Sequence, residues 1–143
     1  MSENGGGQIR VTLRWIQIKD NKEAMWDDEG EFRFRSVITT GGEAHEIEFP
    51  EQGYWSISDH PRRNKVDKID KVLFEGPAGD NLVVELFGVE LDKFTANDHL
   101  ANYRREFTGE AASWIDRHQP ADEGSDDPEN MIDWRVCYDI ETV

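Results

Sequence analysis

The stretch IRVTLRW, residues 9–15, decides the fold class, because apolar and polar side chains alternate along it without interruption. The apolar members, which fall on one face of an extended chain, are Ile9, Val11, Leu13 and Trp15. A period of two indicates a β-strand with one buried face. The phase changes after Trp15, because Ile16 and Ile18 are also apolar. We therefore expect a β-bulge near Trp15 or a strand covered on both faces.

Further strand-like segments follow, separated by loops rich in polar residues, Gly and Pro. They are residues 31–39, 44–50, 53–59, 66–76, 81–91, 101–109 and 131–143. Residues 110–118 have the composition of one short helix, and residues 1–8 that of a flexible leader. Eight short strands with almost no helix predict an all-β fold, an antiparallel eight-stranded β-sandwich formed by a single domain over residues 9–143.

The alternation also predicts which side chains form the core, since each strand buries one face. The expected core residues are Val11, Leu13, Phe32, Phe34, Val84, Leu86, Trp134, Val136 and Tyr138. Gly88, inside the most apolar segment, is expected to mark a bulge.

The composition restricts the function. The chain of 143 residues has 31 acidic and 16 basic residues, a formal net charge of -15. Such a surface repels nucleic acid and anionic lipid and attracts cations and basic proteins. The single cysteine, Cys137, excludes an internal disulfide and a cysteine-based zinc site. The sequence has neither a long apolar run nor a secretory signal, so we expect a cytoplasmic protein.

Two loops contain closely spaced acidic residues. One follows the segment 81–91 and carries Glu90, Asp92 and Asp98, with Thr95 between them; the other carries Asp20, Asp27 and Asp28. Calcium takes six to eight oxygen ligands in flexible geometry, and carboxylates supply most of them. If both loops leave the same end of the sandwich, these six acids form a calcium site. Solvated acidic loops are the alternative in a chain this acidic.

The segment NLVVELFGVELDKFTANDHLA, residues 81–101, resembles the strand and third calcium loop of C2 domains, which are calcium- and phospholipid-binding β-sandwiches. The segment from Ile9 to Val37 is similar to the opening strand, first calcium loop and second strand of that family. The resemblance covers about two thirds of the chain. It implies a C2-like fold with calcium as the bound ion. The ligands it implies are Asp20, Asp27 or Asp28, Glu90, Asp92 and Asp98.

The sequence also departs from the C2 pattern. Glu90 stands where the family has Asp, Ala101 where it has Gly, and basic residues near lipid-facing positions are restricted to 62–65. Recognition motifs for nucleophilic or phosphate chemistry do not occur in the sequence, so we expect a non-enzymatic binding module. It would engage a protein or, with weaker support, a phospholipid partner through calcium, and no nucleic acid. The alternative function is a metal-free acidic protein-interaction domain, of the inhibitor or immunity type, that neutralises a basic partner.

Overall fold

The computed structural model describes residues 7–19, 29–58, 64–91 and 98–143. In that part of the chain there are eleven strands and one 3-10 turn. The strands are β1 (Gln8–Ile18), β2 (Glu29–Thr40), β3 (Glu43–Phe49), β4 (Trp55–Ser58), β5 (Lys65–Val66), β6 (Lys71–Pro77), β7 (Asn81–Leu91), β8 (Asp98–His99), β9 (Tyr103–Thr108), β10 (Asp116–His118) and β11 (Trp134–Thr142), and the turn is Ala111–Trp114.

The strands form two antiparallel sheets. In the first sheet the order is β10–β11–β1, and β5 and β6 share the other side of β1. In the second sheet β2 and β7 lie at the centre, with β3 and β4 beside β2 and with β8 and β9 beside β7. Each sheet is therefore four strand positions wide. The prediction of an all-β antiparallel sandwich is confirmed.

The phase change in β1 is a β-bulge. The pairing of β1 with β11 shifts between Leu13 and Trp15, and Ile16 and Ile18 are fully buried. The extra residue lets Leu13 and Ile16 face the same interior, which strict alternation forbids.

The interior between the sheets contains all nine predicted core residues, each at most 2% exposed. Phe34 lies at the centre of an aromatic cluster, with ring centroids 5.7 Å from Phe49 and 5.6 Å from Trp134. This packing joins both sheets, because Phe34 belongs to β2 and Trp134 to β11. Large buried aromatic rings account for much of the apolar area that stabilises such a core.

Gly88 does not form the bulge that was expected in its strand. Its pairing with Phe34 in β2 keeps a regular register, and the irregularity lies on its other side, between β8 and β9. A side chain at position 88 would meet Leu100 Cδ1 at 2.6 Å. Gly88 is thus needed because Leu100 packs directly against the backbone there.

The predicted helix at 110–118 is confined to the 3-10 turn at 111–114. The turn is fixed by Trp114, which is buried and donates from its indole N–H to the carbonyl of Thr108 at 3.0 Å. The next residues, Asp116–His118, pair with β11. Sheet hydrogen bonds satisfy their backbone, so the helix does not continue.

Of the predicted leader, residues 1–8, the first six residues lie outside the described part of the chain. Gln8 already belongs to β1, where it pairs with Pro77. Among the described residues, no helix has the length and apolar character needed to cross a membrane.

Candidate functional site

Three connections between strands begin and end at the same end of the sandwich. They are residues 19–28, 59–63 and 92–97. Backbone contacts join their flanking residues: the N–H of Ile18 donates to the carbonyl of Asn64 at 2.7 Å, and Glu29 pairs with Ser58. Glu31 pairs with Leu91, and Glu90 pairs with Asp98. We call this end, defined by those flanking residues, the three-connection end.

The structure brings together the backbones of two of the predicted calcium ligands. Asp98 begins β8 and pairs directly with Glu90 of β7. The other predicted ligands, Asp20, Asp27, Asp28 and Asp92, lie outside the described residues, as does Thr95.

Glu90 lies inside the sandwich rather than at a loop tip. It is 2% exposed and has the same inward orientation as Val84 and Leu86 on β7. Its carboxylate lies against Gly30 of β2, where any side chain would collide with it and with the ring of Phe32. The side chain of Glu90 therefore approaches the three-connection end from the interior of the sandwich and not from solvent.

Polar contacts hold the base of this end in place. Gln17 donates to the side chain of Asn64 at 3.1 Å and accepts from Arg135 at 2.9 Å. The backbone N–H of Lys19 donates to the carbonyl of Asp133 at 2.9 Å, and the carboxylate of Asp133 accepts from the N–H of Ala101 at 3.1 Å. These contacts join β1 of the first sheet, through Asp133, to Ala101, which follows β8 of the second sheet.

Among the described residues, no group of three or more His, Cys, Asp or Glu side chains is arranged to hold a metal ion. His99, next to Asp98 in sequence, is exposed on β8.

A buried polar cluster lies on one side of the sandwich, where β9 and β10 approach each other. Glu129, 1% exposed, accepts hydrogen bonds from the hydroxyl of Tyr103 and from Arg105, the latter at 2.9 Å. Because Tyr103 gives its only proton to Glu129, Tyr138 donates to Tyr103, with the oxygens 2.6 Å apart. We call this side, formed by β9, β10 and residues 129–131, the Glu129 edge.

Electrostatics agree with these hydrogen bonds. Burial above all raises the pKa of Tyr103, with further contributions from Tyr138 and Glu129, and burial also raises the pKa of Tyr138. Both hydroxyls therefore remain protonated and able to donate. The cluster fixes residues 129–131 to both sheets, and its enclosure makes it a structural element rather than a site open to substrate.

A second charged group, on the outer face of the first sheet, surrounds Asp139. Its carboxylate accepts from Arg117 at 2.7 and 2.9 Å and from Arg14 at 2.7 Å. The hydrogen bonds from Arg117, ahead of those from Arg14, lower the pKa of Asp139 although burial opposes them. Nearby, burial raises the pKa of the Cys137 thiol to about 11, so this cysteine is an unreactive strand residue.

The opposite side of the sandwich has a groove. Here β3 and β4 of the second sheet face β5 and β6 of the first, and we call this side the groove edge. The groove encloses about 710 Å³, and its apolar walls include Phe49, Trp55, Val66 and Ile69. Lys68 and Asp70 beside it have φ angles of 57° and 45°, which are unusual for residues with side chains.

Sequence reasoning missed Glu129, Tyr103 and the Arg117–Asp139 pair as organised groups. Tyr138 was predicted to be a core residue from the alternation of apolar side chains in residues 131–143. Glu129 gave no such signal, because it stands in segment 119–130, where acidic residues, Pro, Gly and Ser show no apolar alternation.

The fold and the three-connection end define an antiparallel β-sandwich whose strands bring acidic connections to one end. No protein-family model matches this sequence, and no curated protein is significantly similar to it. Its function is therefore argued from its own residues.

Proposed function

We propose that this protein is a non-enzymatic, C2-like binding module that takes up calcium at the three-connection end and uses the bound ion to engage a protein or phospholipid partner. The single observation that supports the proposal is the set of backbone contacts at the strand ends, in which Ile18 contacts Asn64, Glu29 pairs with Ser58, Glu31 with Leu91 and Glu90 with Asp98. Ile18 and Glu29 flank one acidic segment, and Leu91 and Asp98 flank the other, so the chain enters and leaves both segments at one end.

The carboxylates of those two acidic segments are the groups that would bind the cation. The proposed ligands are Asp20, Asp27, Asp28, Asp92 and Asp98, with Glu90 contributing from the interior. Carboxylates that converge on one site repel one another, and a divalent cation relieves the repulsion. Calcium suits such a set because it accepts irregular oxygen geometry, whereas magnesium requires a near-ideal octahedron.

The test is thermal unfolding after chelator treatment, with calcium or magnesium added at equal ionic strength. Millimolar calcium should stabilise the protein by about 2.7 kcal/mol when it exceeds Kd a hundredfold. Asp92→Asn, which keeps the shape and removes one ligand charge, should abolish most of this increment. Asp80→Asn is the matched control, because Asp80 is an exposed acid next to Asn81, where β7 begins at the opposite end.

Equal stabilisation by calcium and magnesium would show only charge screening, and it would contradict the proposal. The same holds if Asp92→Asn retains the full calcium increment. Calorimetric titration of the folded protein with calcium should give a saturable heat, and its absence would also contradict the proposal.

A metal-free acidic interaction domain is the second candidate. It is favoured by the edge strand β3, whose glutamates Glu43, Glu46 and Glu48 have side chains 79%, 52% and 62% exposed. An acidic edge of this kind attracts a basic partner. In this case a Lys/Arg-rich peptide should bind in excess chelator, and the double variant Glu43→Gln/Glu46→Gln should weaken it. Binding that requires calcium would reject this second function.

A further inference from the structure

A separate pocket lies on the solvent face of the second sheet and has no part in the proposed calcium site. It encloses about 290 Å³, and we call it the arginine pocket. The side chains that line it and matter here are Arg33, Arg35, Glu48, Phe87, His99 and Asn102.

The pocket exists because the edge of the sheet is interrupted. β8 pairs with β7 at Val89 and β9 pairs with it from Leu86, so residues 100–102 leave the ladder between them. Leu100 turns inward, where it is 2% exposed, and its N–H donates to the carbonyl of Gly88 at 2.9 Å. On the solvent face of the sheet, this gap between β8 and β9 forms a hollow, and His99 and Asn102 lie at its border.

Cationic groups form the other border of the hollow. The guanidinium of Arg35 lies 4.4 Å from the centroid of the Phe87 ring, and its Nη1 is 3.3 Å from a carboxylate oxygen of Glu46. Arg33 donates to the carbonyl of Gly53 and, at 3.2 Å, to Glu48. The lining thus holds two arginines and one glutamate in a chain with a net charge of -15.

We propose that the arginine pocket binds a small planar carboxylate, of the class of aromatic carboxylic acids. Guanidinium groups match carboxylates because their parallel N–H donors meet both oxygens. Arg35 lines the pocket with its guanidinium held over the ring of Phe87 and its Nη1 paired with Glu46. His99 and Asn102 add polar contacts from the opposite border, and Phe87 and Val89 offer apolar surface to a ring. The volume is at the lower end of the range for ligand pockets, so it fits a small molecule rather than a macromolecule.

The test uses benzoate as the probe in excess chelator, followed by amide chemical shifts of the whole protein. Saturable shifts are expected at residues 33–35, 87–89 and 99–102, with half-saturation on the order of 1 mM for so small a ligand. Chelator separates this experiment from the proposed function, because the arginine pocket requires no calcium.

Arg35→Gln should weaken benzoate binding about tenfold, since one charge-assisted contact is lost. Arg104→Gln is the matched control: Arg104 lies on β9, is 58% exposed, and is ion-paired with Glu85 and Glu106. It should change the affinity less than about twofold. Unchanged amide shifts remote from the pocket verify that Arg35→Gln is folded.

Several results would overturn the proposal. These are shifts that grow linearly with benzoate, shifts reproduced by sodium chloride at equal ionic strength, and equal losses in Arg35→Gln and Arg104→Gln. Inorganic phosphate at the same concentration should produce weaker shifts at these residues. Equal binding of phosphate would show a general anion site and reject the carboxylate class.

Discussion

The Glu129 edge and the groove edge solve the same problem with different chemistry. At both, the outer strands of two sheets approach each other and the interior must be closed. At the Glu129 edge a carboxylate, two tyrosines and an arginine do this through hydrogen bonds. At the groove edge, apolar side chains leave an open volume of about 710 Å³.

The difference between the edges lies in the chain segments available to them. The Glu129 edge receives an additional segment, in which Asn130 pairs with Arg135 and the carbonyl of Glu129 accepts from the N–H of Val136 at 3.2 Å. The groove edge receives the short strand β5, the turn that includes Lys68 and the connection that carries Glu51. Polar closure is directional and fixes one arrangement, whereas apolar contact is non-directional.

The largest expected effect is that of Glu129→Gln. It removes the charge that pairs with Arg105, which is 35% exposed, so we expect a loss of about 2 kcal/mol, below the value for a fully buried pair. Urea unfolding measures it. Glu51→Gln at the groove edge, where Glu51 is 86% exposed, should cost less than about 0.5 kcal/mol. Equal losses would remove the energetic distinction between the edges.

An acid-dependent loss of stability should come from Asp139, which ties β10 at the Glu129 edge to β11 and β1. Its pKa is lowered in the folded protein, so its contribution is complete above the unfolded value, about pH 4, and is lost as the pH falls through the folded pKa. The stability measured between about pH 5 and 2 should fall less steeply in Asp139→Asn. Arg117→Gln, which removes the first hydrogen-bonding partner, should have the same effect. An unchanged slope in both variants would refute this role.

The smallest expected effect is a gain in stability at the groove edge. Lys68 has a φ of 57°, a conformation that glycine adopts without steric cost. Lys68→Gly should therefore raise the free energy of unfolding by about 0.5 kcal/mol. Lys71→Gly, three residues later in strand β6, where Lys71 pairs with Leu13 of β1, should lower it by about 0.5–1 kcal/mol. Losses of the same sign in both variants would mean that Lys68 is not strained.

The strands could be predicted because their signal is local. Alternation in β1, β2, β7 and β11 identified their buried faces. The phase change at Trp15 predicted a bulge or a strand covered on both faces, and the structure has a bulge there. The same parity places Glu90 inside with Val84 and Leu86, although its acidic side chain suggested a loop. A charged residue at an inward position was therefore detectable as an exception to the pattern.

The rest depends on residues distant in sequence. Glu129 is buried because Tyr103 and Arg105, 26 and 24 residues earlier, meet it in the fold. The segment 110–118 favours a helix by composition, but β11 provides hydrogen bonds to Asp116–His118 that a local pattern does not reveal. For Asp20, Asp27, Asp28 and Asp92, which lie outside the described residues, the structure fixes only where the flanking strands begin and end.

The contact between Gln8 and Val143 has a practical consequence for attaching the protein to a surface. The N–H of Val143 donates to the carbonyl of Gln8 at 3.1 Å, so both residues lie at one end of β1, whereas Ile18 lies at the other. Eleven strand residues span roughly 30 Å or slightly more. A sensor chip or a bead linked through a tag at either position would therefore carry the molecule with the three-connection end directed into solution. Immobilised protein oriented in this way leaves that end free to meet an analyte from solution.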